Sequence, residues 1–102
     1  MKKMQKEPQV IRVAKTTSVS SLSGSIVKFF EEDEEVELRA MGAGATNQMY
    51  KAIASARKVI AQKGYNLMII PGFDTIEDAN GSLSPDGKKK EKTVLVARLV
   101  AM

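Results

Sequence analysis

The segment Leu38-Arg-Ala-Met-Gly-Ala-Gly-Ala-Thr-Asn-Gln-Met-Tyr-Lys51 holds the residues of this chain best suited to binding a ligand. An alternating run passes through Gly42-Ala43-Gly44-Ala45 into an alanine-rich helical stretch. Gly42 and Gly44 let the backbone approach a bound group, and free N–H groups at a helix start favour an anion. Asn47 and Gln48 bring amide donors for phosphate, sugar or base edges, or for local capping. Lys51 adds a cation on the same helix. The stretch is not a dinucleotide fingerprint, because Asn47 stands where the third glycine belongs, and it lacks the Gly-Lys-Ser/Thr ending of a P-loop. A second reading is compatible with the first: small residues here let a helix pack tightly on a sheet.

Lys88, Lys89, Lys90 and Lys92 are the other candidate. Flexible ammonium groups on a protruding loop reach phosphates without reading bases. The same lysines could instead solubilise a hairpin tip and blunt an edge strand. Catalysis is disfavoured. The chain has no Cys and no His, which excludes the usual zinc sites and Ser-His or Cys-His nucleophiles. Only carboxylates, Lys and Tyr remain for acid–base work, and no cofactor or metal is indicated.

A chain of 102 residues bounds the design to one domain. Residues 1–8 read as a basic, disordered lead-in and residues 9–102 as a single domain. No apolar run spans a bilayer and no signal peptide is indicated, and together with the missing cysteines this fits a cytoplasmic protein. The net charge is +4, yet Glu31-Glu-Asp-Glu-Glu35 concentrates five acids, so the rest of the chain is more basic than the total. Such segregation gives a positive face and a negative end.

The elements that must position these groups follow from hydrophobic spacing. Gln9 to Lys15 reads as a strand and Thr16 to Ser18 as a polar turn with N-cap candidates. Val19, Leu22, Ile26, Phe29 and Phe30 mark a helix over about 18–32 that ends inside the acidic run. Glu35 to Met41 alternates as a half-buried strand. After Gly42 to Ala45, a second helix carries Met49, Ala52, Ile53, Ala56, Val59 and Ile60 on one stripe, with Gly64 as its stop. Leu67 to Ile70 is a short strand ended by Pro71-Gly72. Asp74 to Lys92 is irregular, and Thr93 to Val100 is a last strand. The order βαβαββ predicts an α/β two-layer sandwich: a four-stranded mixed sheet with two helices on one face. The last two strands are apolar on both sides, which predicts burial against a second copy, with Arg98 near that interface. The stripe Tyr50, Ala54, Arg57 and Ala61 also suits a dimer contact.

Three stretches, Val13-Ala-Lys-Thr-Thr-Ser-Val19, Arg39-Ala-Met-Gly-Ala-Gly-Ala-Thr-Asn-Gln-Met-Tyr-Lys-Ala52 and Asn66-Leu-Met-Ile-Ile-Pro-Gly-Phe73, resemble in order and spacing the stage V sporulation protein S family. That family belongs to the Alba-like superfamily of small dimeric nucleic-acid-binding proteins. The resemblance implies an Alba-like fold, a homodimer, a regulatory role in bacterial sporulation or development, and binding of DNA or RNA. In Alba proteins a basic loop after the first strand joins a basic hairpin between the last two. The matching positions are Lys15 with Thr16 and Thr17, and Lys88, Lys89, Lys90 and Lys92. A single lysine in the first loop, and Asp74, Glu77 and Asp78 at the hairpin start, leave room for a protein partner. The alternative is therefore a protein-interaction regulatory module without nucleic-acid binding. A small-ligand sensor built on the Gly-rich helix start is a weaker third reading.

Overall fold

The computed structural model describes residues 7–77 and 91–102. Its elements are β1 (Gln9–Val13), α1 (Val19–Glu31), β2 (Val36–Ala40), α2 (Ala43–Ala61), β3 (Leu67–Glu77) and β4 (Glu91–Ala101). They form one four-stranded sheet in the order β1-β2-β4-β3, parallel between β1 and β2 and antiparallel at the other two joins. The last strand therefore inserts between β2 and β3. The two-layer, mixed-sheet architecture expected from the sequence is the one observed.

Local chemistry explains the helix limits. Ser18 caps α1, its Oγ accepting the Ser21 N–H at 3.2 Å. The helix ends within the acidic run because Asp33 takes a left-handed conformation (φ 59°). Glu34 N–H then donates to Phe29 O at 2.9 Å and Asp33 N–H to Phe30 O at 3.0 Å, which closes the end as a Schellman turn. Helix α2 closes similarly through Gly64 at φ 92°, with Gly64 N–H donating to Ala61 O and Tyr65 N–H to Ile60 O. The two closed ends meet. Phe30 and Tyr65 pack edge to face with centroids 5.2 Å apart, and Lys63 Nζ lies 3.0 Å from Glu31 Oε2.

Helix α2 starts earlier than its sequence suggests, at Ala43 and not after Ala45. The break sits at Gly42, whose φ of 88° suits glycine, and Ala43-Gly44-Ala45 have no side-chain hydrogen bonds to compete with the helical ladder. Asn47 and Gln48 accordingly stand in the second turn, not the first.

Both helices cover the same sheet face. Val13, Val36, Leu38, Ala40, Leu67, Ala97 and Leu99 meet Leu22 and Ile26 of α1 and Ala45, Met49, Ala52, Ile53, Ala56 and Ile60 of α2 in one core. The other face, read from strand alternation and register, carries Val10, Arg12, Glu37, Arg39, Val94, Val96, Arg98, Ile70 and Asp74.

Strand β3 does not stop at Pro71-Gly72. It runs on to Glu77, paired with β4 as far as Glu77↔Glu91, so both described ends of the span expected to be irregular, 74–77 and 91–92, are sheet. Proline is tolerated because β3 is an edge strand, where a missing N–H can face outward without breaking the ladder. Residues 78–90 of that span and residues 1–6 of the lead-in lie outside the described residues.

Leu38 is completely buried beneath both helices. Leu38→Ala should cost about 2–5 kcal/mol, read as a fall in the denaturant midpoint at unchanged slope.

Candidate nucleic-acid interface

The end of a five-residue strand decides where the candidate groups gather. Strands β1 and β2 finish side by side at Val13↔Ala40, and β4 crosses the same line at Leu95. Past that line lie the turn after β1, the start of α2, and the part of β3–β4 that no third strand supports. Lys15, Thr16, Thr17, Gly42, Gly44, Asn47, Gln48 and Lys92 thus fall at one end of the sheet, with Lys51 just along α2. The acidic run Glu31 to Glu35 falls at the other, immediately before β2. Lys88, Lys89 and Lys90 lie outside the described residues.

The turn after β1 is held firmly. Thr17 Oγ1 accepts the Ala14 N–H at 2.8 Å, and Thr17 N–H donates to Ala14 O at 3.0 Å. Gln48 Nε2 donates to Thr17 O at 2.9 Å, so this amide serves to tie the turn to α2. Gly44 faces the same turn. A Cβ built on it would sit 2.8 Å from Lys15 Cβ, closer than real side chains approach. Of the two compatible readings of the Gly-Ala-Gly-Ala stretch, close packing is directly visible at Gly44. The first N–H groups of α2 have no intrahelical partner by construction, and Gly42 has no side chain to cap them. Thr46 binds back to Gly42 O through both N–H and Oγ1, at 3.1 and 2.8 Å. Asn47 and Lys51 are exposed, one turn apart.

The root of the β3–β4 ladder is fastened by a charge pair that sequence reasoning did not single out. Arg39 Nη1 donates to Glu37 Oε2 at 3.1 Å, and Nη2 donates to Asp74 Oδ2 at 2.5 Å. The bond to Asp74, and after it the bond to Glu37, raises the Arg39 pKa further above its ordinary value. The bond from Arg39, helped by the Thr75 N–H, keeps the Asp74 carboxyl below the usual carboxylate range. The signal was available in principle, since Glu37 and Arg39 alternate onto one strand face, but the partner on β3 was hidden by the expected strand end at Pro71. Arg98 sits on the same open face, bonded to Glu35 at 3.1 Å.

A groove of about 670 Å³ opens on the helix side between α2 and the ladder, lined by Tyr50, Thr46, Asn47, Phe73, Thr93 and Leu95 among others. Tyr50 and Phe73 are 65% and 77% exposed there, the least covered large apolar residues within the described helices and strands. A second, mostly apolar hollow continues it along Ile53, Ile69, Pro71 and Ala97.

The model of the stage V sporulation protein S family matches residues 9–96. The chain belongs to that family. Its fold is also that of Alba from Thermoplasma volcanium, with a TM-score of 0.56 over 89% of this chain and 98% of that one, at 13% sequence identity. The family match takes in all of β1 through β3 and β4 as far as Val96, so it includes every candidate residue of the interface. Among the described residues, no helix is long and apolar enough to cross a membrane.

If Gly44 is there for packing, a side chain at that position must displace the β1 turn, not a flexible side-chain tip. Gly44→Val should destabilise the fold by about 1–3 kcal/mol, seen as a thermal midpoint lowered by roughly 4–8 °C per kcal/mol.

Proposed function

We propose that this member of the stage V sporulation protein S family is a cytoplasmic, nucleic-acid-binding regulator of bacterial sporulation or a related developmental programme. It grips phosphates with little base readout and works by binding, not catalysis. The single observation that carries this reading is the gathering of the β1 turn, the α2 start and the β3–β4 ladder at one end of the sheet, away from the acidic run. Lys15 and Lys51 contribute charge there, Asn47 contributes an amide, and the uncapped N–H groups of α2 contribute a fixed partial positive charge. Thr16 and Thr17 supply hydroxyls on a turn already braced by Gln48. Lys88, Lys89, Lys90 and Lys92 extend the same positive end in sequence.

The protein acts as a homodimer in this reading. The groove flanked by Tyr50, Pro71, Phe73 and Leu95 supports that assembly better than the open sheet face does. The open face carries the ion pairs of Arg39 and Arg98 and the charge of Arg12, whereas the groove is mostly apolar, continuous and exposed. A two-fold pairing of α2 and β3 from two copies would cover it and leave the positive ends of both protomers free.

Binding is tested by titration against duplex DNA, single-stranded DNA and RNA at two salt concentrations. The quadruple variant at Lys88, Lys89, Lys90 and Lys92 to Ala should fold normally and bind more weakly at low salt. Each phosphate left without its lysine should flatten the slope of log affinity against log salt by about 0.9 on duplex DNA. Wild-type protein that binds no nucleic acid at low salt would favour the protein-interaction reading instead.

Dimerisation is tested separately by light scattering at micromolar concentration. The wild type should show twice the protomer mass, and Phe73→Asp should show the monomer mass, since a charge at the centre of a dry contact is not tolerated.

A further inference from the structure

Strand β2 supports β4 only from Leu99 to Leu95. Beyond it, the pairs Asp74↔Val94, Thr75↔Thr93, Ile76↔Lys92 and Glu77↔Glu91 form a two-stranded arm with no third strand beside it among the described residues. Two-stranded ribbons are marginally stable and twist more than wider sheets, so such an arm has no fixed direction of its own. Something must set it.

We propose that Arg39 and Asp74 form a clasp that fixes the angle of the β3–β4 arm against the sheet and thereby holds the arm in position to meet phosphates. The second half rests on the nucleic-acid reading above; the first does not. Arg39 stands on β2, one residue from its end, and Asp74 is the first β3 residue beyond the three-strand region. The guanidinium reaches Asp74 across β4, which separates the two strands. Beneath this reach Val94 is buried although it belongs to the open face and not to the helix-side core. Both ends of the clasp are held in place. Glu37 Oε2 accepts Arg39 Nη1, and Asp74 Oδ1 accepts the Thr75 N–H at 2.9 Å, so neither charged group has to be ordered by the other alone. The clasp also answers a local conflict: Arg12 and Arg39 are register partners on β1 and β2, and like charges set opposite one another repel. Drawing the Arg39 charge towards Glu37 and Asp74 relieves that.

A clasp on the surface has little to do with global stability, since solvent screens exposed ion pairs and leaves them little net contribution to folding. Asp74 is exposed and the core lies on the other face. Its role is to direct the arm, and Arg39 and Asp74 are positioning residues.

The chain has no cysteine, so two introduced ones report without interference. Spin labels at Glu91→Cys on the arm and Lys58→Cys on α2, with labelled protein diluted into unlabelled, give the arm-to-body distance within one protomer. The distribution should be narrow in the otherwise unchanged protein, broad in Asp74→Asn and in Arg39→Gln, and narrow again in Asp74→Glu, with all variants folded by thermal melting. An unchanged distribution in Asp74→Asn and Arg39→Gln overturns the clasp. Affinity gives an independent readout with opposite signs for the competing ideas. Removing the negative charge of Asp74 should tighten nucleic-acid binding if only charge matters, whereas loss of the clasp should weaken it by about threefold. Tighter binding by Asp74→Asn overturns the positioning role. If the wild type binds no nucleic acid at all, the functional reading fails, and the distances still decide the clasp.

Discussion

A mismatch of strand lengths governs this molecule: β2 has five residues, while β3 and β4 have eleven each. Because β4 inserts between β2 and β3, it is paired on both sides only where β2 lasts. The shared part of the ladder makes the body of the sheet and buries its helix-side residues. The unshared part must project, and it projects from the edge where β1 and β2 hand over to the β1 turn and to α2. The chain therefore cannot have its short central pairing without also setting an arm beside a helix start. The candidate groups come to one edge as a consequence of topology, and the contacts of Gln48 with Thr17 and of Arg39 with Asp74 fasten them there.

The same edge shows how packing can hold exposed polar groups in place. Gly44 has to be glycine because Lys15 lies against it, and Gln48 is occupied with Thr17. Gln48 is therefore already committed, and Gly44 contributes only backbone. Their effect is to hold the turn carrying Lys15, Thr16 and Thr17 against the start of α2, which keeps exposed cations and hydroxyls beside uncapped backbone N–H groups. Rigid support beneath and charge on the surface is the arrangement that phosphate contacts require, because they fix position and read no sequence.

Much of the fold was legible because the core pattern is local. Val36, Leu38 and Ala40 alternate, and Met49, Ala52, Ile53, Ala56 and Ile60 recur at helical spacing, so element type and order followed from periodicity. What the pattern could not carry was the extent of β3. Its residues beyond Ile70 are exposed, so no burial period marks them, and Pro71-Gly72 carries a strong local stop signal. Edge position overrode that signal, and edge position is a property of the whole sheet. The Arg39–Asp74 pair was invisible for the same reason, since it joins residues 35 apart through a strand that ends the sequence. The start of α2 was misplaced by a few residues because Ala and Gly mark turns and helices equally well until Gly42 fixes the break.

The sequence pointed to apolar surface on the last two strands, and the fold distributes that surface over both faces of the sheet. Two-sided apolar strands suggested a dry open face, yet that face carries ion pairs from Arg39 and Arg98 woven among its valines and isoleucine. Ion pairs at half-exposed positions lose little by staying in water and would have to be desolvated in a tight contact. The helix-side groove asks for no such loss: Tyr50, Pro71, Phe73 and Leu95 offer apolar area with few charges to strip. The stripe of Tyr50, Ala54, Arg57 and Ala61 on α2 meets the groove at Tyr50. Physical cost therefore separates the two faces of one sheet. On the charged face Arg39 is spent on Glu37 and Asp74 and Arg98 on Glu35, whereas the apolar flank has few charges to desolvate.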